Sequence, residues 1–110
     1  MKKGDIVLVP FPFTDLKGYK KRPALILVNN LDSLNVVLAF ISTKIEIKSQ
    51  FDLTLLASSQ NGLKKTSIVK LDKLTSLDRD LVEALIGEIT QEDTHQLNLK
   101  LIELFQTNLN

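Results

Sequence analysis

The sequence predicts a mainly β fold, a small barrel or strongly curled sheet, completed by one C-terminal helix. Short runs of β-branched and other apolar residues recur along residues 1–89. Turn-forming residues separate these runs at the spacing of an all-β domain. Beyond Thr90 the pattern changes to apolar residues three and four positions apart, which indicates a helix. The 110 residues are the length of a single domain, 1–110.

The strands are predicted from apolar runs bounded by Gly, Pro, Asn or Asp. The first run, 6–9, is expected to end at the two prolines that follow it, because proline donates no hydrogen bond to a sheet. A polar loop over 14–21 leads to the second run. The last run contains Gly87, which favours an edge position. The predicted strands are residues 6–9, 24–28, 35–41, 51–55, 66–71, 73–77 and 84–89.

Two helical segments are predicted in the last third of the chain. Residues 78–82 are typical of a short helical turn. Thr90 can cap a longer helix with its hydroxyl. The acidic and amide residues that follow fill the first turn, at the positive end of the helix dipole. An apolar stripe on this helix is predicted to pack on the core. It consists of Leu97, Leu101, Leu104 and Phe105, with Ile102 at its edge.

Composition excludes several classes of site. The chain has no cysteine, so disulfides, thiolate zinc sites, iron–sulfur clusters and cysteine nucleophiles are excluded. His95 is the only histidine, which excludes a histidine pair and a multi-histidine metal site. No apolar run approaches the length of about 20 residues that spans a membrane, and the start lacks a signal-peptide cleavage pattern. We therefore expect a cytoplasmic protein that does not associate with a membrane.

The charges are unevenly distributed along the chain. The net charge is +1. Residues 1–73 contain 12 basic and 6 acidic side chains, whereas residues 74–110 contain 2 basic and 7 acidic ones. Such asymmetry is typical of a surface that faces a polyanion, although a solvated acidic helix is an alternative explanation. A nearly neutral chain can therefore present one basic face.

One group of residues could carry phosphodiester chemistry. If the second and third strands pair in an antiparallel manner, Arg22 at the start of one lies on the same rim as Ser42 and Thr43 at the end of the other. A guanidinium can bridge two phosphate oxygens, and a hydroxyl can orient a phosphate or a ribose 2′-hydroxyl. Nearby lysines would add charge, although a solvated basic loop explains them equally well. They are Lys17, Lys20, Lys21 and Lys44.

The sequence closely resembles the MazF/PemK family, the ribonuclease toxins of type II toxin–antitoxin modules. The resemblance rests on GDIVLVPFPFTD at 4–15 and KRPALIL at 21–27. It continues through FIST at 40–43, SIVKLDKL at 67–74 and the C-terminal helix. The family implies an SH3-like barrel of the MazF/CcdB-like toxin fold and a homodimer. It also implies inhibition by a cognate antitoxin, an acidic and partly disordered partner.

The resemblance further implies an activity and roles for single residues. The activity is metal-independent, sequence-specific cleavage of single-stranded RNA, with no cofactor. It leaves 2′,3′-cyclic phosphate and 5′-hydroxyl ends. Arg22 corresponds to the family arginine, and either Ser42 or Thr43 to the catalytic hydroxyl. The residues expected to bind RNA are Lys17, Tyr19, Lys20, Lys21, Lys44 and Lys73.

The sequence leaves three alternatives open. Tyr19 could stack on an unpaired base, or anchor its loop against Phe11 or Phe13. A CcdB-like toxin would poison DNA gyrase and cleave nothing. A barrel that binds nucleic acid without catalysis would cause no growth arrest when expressed.

Overall fold

The computed structural model describes residues 1–12, 19–45 and 49–106. In these ranges the chain forms six strands, one 3-10 turn and one helix. Their bounds are β1 Asp5–Pro12, β2 Tyr19–Asn29, β3 Asn35–Ser42, β4 Asp52–Leu55, β5 Ser67–Asp78, the 3-10 turn Arg79–Leu81, β6 Ala84–Glu88 and α1 Gln91–Gln106. The prediction of a mainly β fold with one C-terminal helix is confirmed.

All six strands belong to one antiparallel sheet. Its order is β4-β5-β3-β2-β1-β6, so β4 and β6 are the edges in the described part of the chain. The sheet forms a half-barrel. The edge position predicted for the last strand is therefore confirmed. β2 pairs with β3 in the antiparallel manner on which the predicted site depends.

Each face of the sheet carries its own apolar cluster. Residues alternate between the faces along each strand. One cluster packs under α1 and includes Ile6, Leu25 and Leu71. The other includes Val9, Ile26 and Leu38 and lies on the opposite face. The second face also carries Arg22 near the start of β2 and Ser42 at the end of β3, where polar side chains continue the rows of apolar ones.

The prolines do not end the first strand, contrary to the prediction. β1 continues through Pro10 to Pro12, which pair with β2. The Leu8 carbonyl accepts from the Glu83 N–H on the β6 side, at 2.9 Å. Backbone groups of every second residue point to the same side of a strand, so the nitrogens of Pro10 and Pro12 face the same side as the Leu8 carbonyl. The paired part of β6 ends opposite Leu8 and does not reach the two prolines. A missing N–H costs no ladder hydrogen bond there.

The two strands predicted at 66–71 and 73–77 are one strand, β5. Its pairing with β3 shifts register between Ala39, opposite Leu74, and Ile41, opposite Val69. The extra residues of β5 form a bulge at this point. A bulge bends the strand and interrupts the alternation of its side chains, which is why the sequence pattern looks like two strands.

Gly87 has a steric role in β6. A Cβ at this position would collide with the Asn61 carbonyl group and lie 2.6 Å from the Gln60 carbonyl oxygen. The Glu88 N–H donates to that same Gln60 oxygen at 3.0 Å, which holds the 60–61 turn against the strand. Glycine is therefore required by a close backbone approach rather than by the edge position alone.

Helix α1 is capped as predicted, since the Asp93 N–H donates to Thr90 Oγ1 at 3.0 Å. Leu97 is fully buried, and Leu101 and Leu104 pack against the same cluster. Phe105, predicted in the stripe, is 61% exposed, because it lies in the last turn of α1 and about 80° around the helix from the fully buried Leu97. No helix in the described ranges is both long and apolar enough to cross a bilayer.

Candidate functional site

A groove of about 310 Å³ opens on the sheet face opposite α1. We call it the cationic groove, because every charged residue among its described lining is basic. β1, β2, β3 and β5 contribute to it, together with the segment after β3. It is lined by Phe11, Arg22, Phe40, Ile41, Ser42, Lys44, Lys70 and Lys73.

Strand pairing brings Arg22 and Ser42 into this groove. β2 and β3 are antiparallel, with Ala24 opposite Phe40. Arg22 lies two residues before Ala24, and Ser42 lies two residues after Phe40, so both occupy the same rim and the same face. A guanidinium and a hydroxyl thus converge although they are 20 positions apart in the sequence.

The hydroxyl of Ser42 is oriented by the backbone. Ser42 Oγ accepts a hydrogen bond from the Lys44 N–H at 3.1 Å. The turn thereby uses an acceptor site of the hydroxyl, whose own proton can be donated to an anion in the groove. Ser42 is half-buried, whereas Lys44 is exposed.

Thr43 lies on the other side of the strand end. It lines a separate pocket of about 320 Å³, together with Lys64, Lys65 and Ile86. The separation follows from the alternation of side chains along an extended strand. The sequence left the choice between Ser42 and Thr43 open, and of the two only Ser42 lines the groove with Arg22.

The bulge in β5 gives the groove two lysines. Lys70 and Lys73 both line it, next to Phe40 of β3. On a regular strand, side chains three positions apart would lie on opposite faces. The register shift between Ala39 and Ile41 allows both to reach the same face.

A nearly buried ion pair lies beside the groove. Lys70 Nζ is 2.9 Å from Asp52 Oδ1, and the side chains of Lys70 and Asp52 are 14% and 4% exposed. The Ser49 N–H also donates to Asp52 Oδ2, at 2.8 Å. Burial alone would raise the pKa of Asp52, but the hydrogen bonds from Lys70 and Ser49 outweigh it and lower that pKa from its ordinary value. Asp52 is thus a carboxylate at neutral pH.

Two aromatic rings separate the groove from an apolar pocket. The Phe11 and Phe40 rings meet edge to face, with their centroids 4.7 Å apart. Both rings also line a neighbouring pocket of about 690 Å³, whose other walls include Thr75, Leu77 and Leu81. The aromatic pair therefore gives the groove one apolar wall.

The other predicted RNA-binding residues are distributed over both faces. Lys20, opposite Phe11, shares the face of Arg22 by alternation. Lys21 lies on the other face, where its Nζ is 3.9 Å from Glu83 Oε1. Tyr19, predicted to lie in the polar loop, is the first residue of strand β2. Lys17 lies outside the described residues.

Sequence reasoning missed five residues at or beside the groove: Phe11, Phe40, Ile41, Asp52 and Lys70. Phe40 had a signal, because it lies two positions before Ser42 and therefore on the same face of a strand. Lys70 had none, because nothing in the local sequence shows that Ser42 pairs with Ile68, two positions before Lys70.

This arrangement can bind an anion with several oxygens. Arg22 can donate two parallel hydrogen bonds, and lysines around it add charge. The aromatic wall can contact a flat apolar group beside that anion. A phosphodiester with its attached base combines both features.

Three comparisons relate the chain to known proteins. The model of the family described as PemK-like, MazF-like toxin of type II toxin-antitoxin system matches residues 2–105. Among curated proteins no significant match is found. A mycobacterial endoribonuclease, solved with its cognate antitoxin, is 22% identical with a TM-score of 0.72, over 96% of this chain and 93% of that one. The Mycobacterium tuberculosis toxin MazF-mt6 is 21% identical with a TM-score of 0.76, over 93% of this chain and 96% of that one. At these identities the likeness establishes the fold.

Proposed function

The chain belongs to the PemK-like, MazF-like toxin family of type II toxin–antitoxin systems, and on this premise we propose that it is an endoribonuclease that cleaves single-stranded RNA. The observation that carries the proposal is the meeting of Arg22 and Ser42 in the cationic groove. The solved mycobacterial relative described as an endoribonuclease supports the same activity.

The proposed reaction is an internal transesterification. The ribose 2′-hydroxyl attacks the adjacent phosphorus, a P–O2′ bond forms, and the P–O5′ bond breaks. The 2′-hydroxyl loses a proton and the departing 5′ oxygen gains one. The products are a 2′,3′-cyclic phosphate and a free 5′-hydroxyl, and the nucleophile comes from the substrate itself.

Arg22 serves this reaction as an electrostatic clamp. The pKa of an arginine is too high for the side chain to act as a base at neutral pH. Its guanidinium can instead neutralise the negative charge that develops on the phosphate oxygens in the transition state. One such donor typically contributes a factor of about 100 or more to the rate.

Ser42 positions the scissile phosphate beside Arg22. Its hydroxyl is held by the Lys44 N–H, so donation to a phosphate oxygen requires little reorganisation. Lys44 and Lys73 line the same groove and can contact the flanking phosphates. Thr43, in its separate pocket, is not part of this proposal for the chemical step.

The proposed regulation is occlusion by an acidic antitoxin. The described charged residues of the groove are cations, so a partner rich in carboxylates is complementary to it and is attracted rapidly. The mycobacterial relative solved with its cognate antitoxin supports such a partner. We further propose that the toxin acts as a homodimer in the cytoplasm. If a saturating cognate antitoxin left RNA cleavage unchanged, occlusion would be wrong.

Product analysis tests the proposed reaction. The purified protein is incubated in EDTA with a single-stranded RNA and with a copy that carries one 2′-deoxy nucleotide at the mapped cleavage site. We expect cleavage of the RNA to cyclic phosphate and 5′-hydroxyl ends, and no cleavage at the deoxy position. Cleavage of the deoxy copy at the same bond would exclude attack by the 2′-hydroxyl.

A further inference from the structure

Lys70 is not among the residues that the family resemblance assigned, yet it lines the cationic groove together with Arg22 and Ser42. Its Nζ lies 2.9 Å from Asp52 Oδ1 and 3.1 Å from Oδ2. Asp52 and Lys70 are also directly opposite each other in the β4–β5 pairing. The ammonium group is therefore fixed by two contacts from a neighbouring strand.

The pair is arranged unequally toward solvent. Asp52 is 4% exposed, and its carboxylate accepts hydrogen bonds from both the N–H and the hydroxyl of Ser49. Lys70 is more exposed and is the member of the pair that lines the groove. The positive end of the pair thus faces the groove, while the negative end lies beneath it.

Stability alone gives little reason for such a pair. A buried ion pair is often no more stabilising than two apolar residues of similar volume, because both charges lose their hydration. A lysine fixed before the substrate arrives has a different advantage, since it needs no reorganisation to meet an anion. The position of Lys70 next to the proposed phosphate site makes this advantage relevant.

We propose that Lys70, held in place by Asp52, is a phosphate-binding residue of the cationic groove and contacts an RNA phosphate next to the one bound by Arg22. This inference rests on the proposed function, because it takes single-stranded RNA as the ligand. Asp52 acts through Lys70 and is a positioning residue.

The test measures RNA affinity as a function of salt. The probe is a fully 2′-O-methylated single-stranded oligonucleotide, which lacks the 2′-hydroxyl and cannot be cleaved by the proposed reaction. One lost phosphate contact should lower the slope of log K against log salt by about 0.7 in magnitude. We expect this reduction in Lys70→Met but not in Lys70→Arg, which keeps the charge.

Three further variants separate binding from folding. Lys70→Met alone leaves a buried carboxylate unpaired, whereas Lys70→Met combined with Asp52→Asn leaves no unpaired charge and is expected to fold. The double variant should show the same reduced slope. Asp52→Asn alone should keep the full slope but bind more weakly, because Lys70 is no longer held. Lys3→Met removes an exposed lysine that bonds to Asn98 on α1 and should match the wild type.

The outcomes distinguish this inference from the proposed function. A reduced slope in the double variant, with the wild-type slope in Lys70→Arg and Lys3→Met, supports the inference. An unchanged slope in the double variant overturns it and assigns the pair to stability alone. RNA cleavage is assayed in parallel, and a wild-type protein that binds the probe but cleaves no RNA overturns the proposed function instead.

Discussion

Replacing Ser42 by alanine removes a single hydroxyl from the cationic groove and leaves the strand pairing intact. Two interactions are lost: acceptance from the Lys44 N–H at 3.1 Å, and the proposed donation to the scissile phosphate. A hydrogen bond to a charged group contributes about 1.5–3 kcal/mol. Since 1.36 kcal/mol corresponds to a factor of ten, we expect kcat/KM to fall about 10- to 150-fold.

Thr43→Ala is the matched control. It removes a hydroxyl from the next residue of the same segment, but one that is exposed and lines a different pocket. Surface substitutions usually change free energies by less than about 0.5 kcal/mol, so kcat/KM should stay within about twofold of the wild type. Ser42→Thr keeps a hydroxyl in the groove and should retain more activity than Ser42→Ala.

The assay is cleavage of a short fluorogenic RNA at concentrations below KM, with thermal unfolding recorded for each variant. The expected order of activity is wild type and Thr43→Ala, then Ser42→Thr, then Ser42→Ala. A loss of activity in Thr43→Ala with full activity in Ser42→Ala would refute the reasoning from strand alternation, which assigns the Ser42 hydroxyl to the scissile phosphate.

Three further predictions concern stability and binding. Gly87→Ala should lower the free energy of unfolding in urea by more than Gly4→Ala does, because a Cβ on Gly87 meets backbone atoms whereas Gly4 has only a positive φ to strain; equal losses would contradict this. Asp52→Asn should cost about 3 kcal/mol at neutral pH. The pKa of Asp52 is lowered by folding, so this stabilisation is present above the ordinary value of 3.8 and is lost as the pH falls below it; a loss independent of pH would exclude the ionised pair as its cause. Lys73→Met should weaken RNA binding and reduce its salt dependence, whereas Lys21→Met, on the opposite face, should have a smaller effect, and the reverse order would contradict the assigned faces.

The features that follow from local chemistry could be predicted from the sequence. Apolar runs located the strands, because each strand has at least one buried face. Thr90 located the start of α1, since its side chain satisfies a free N–H of the first turn. The approach of Arg22 to Ser42 followed from one assumption, the antiparallel pairing of β2 and β3, which the structure contains.

The features that depend on irregular pairing could not be predicted. The continuation of β1 through Pro10 depends on how far β6 extends along the other side. The presence of both Lys70 and Lys73 in the groove depends on a bulge that no local pattern reveals. Its contact with Asp52 joins two strands across 18 positions, a distance over which periodicity carries no information.

The most direct test of the account compares the wild type with Arg22→Ala. Both proteins are incubated with a long single-stranded RNA in EDTA, and the cleavage sites and end groups are mapped. Circular dichroism and thermal unfolding establish that the variant is folded. We predict specific cuts with cyclic phosphate ends for the wild type, and a reduction of about 100-fold or more for Arg22→Ala. A folded Arg22→Ala protein that cuts the same sites at the wild-type rate would contradict the assignment of the active site to this groove.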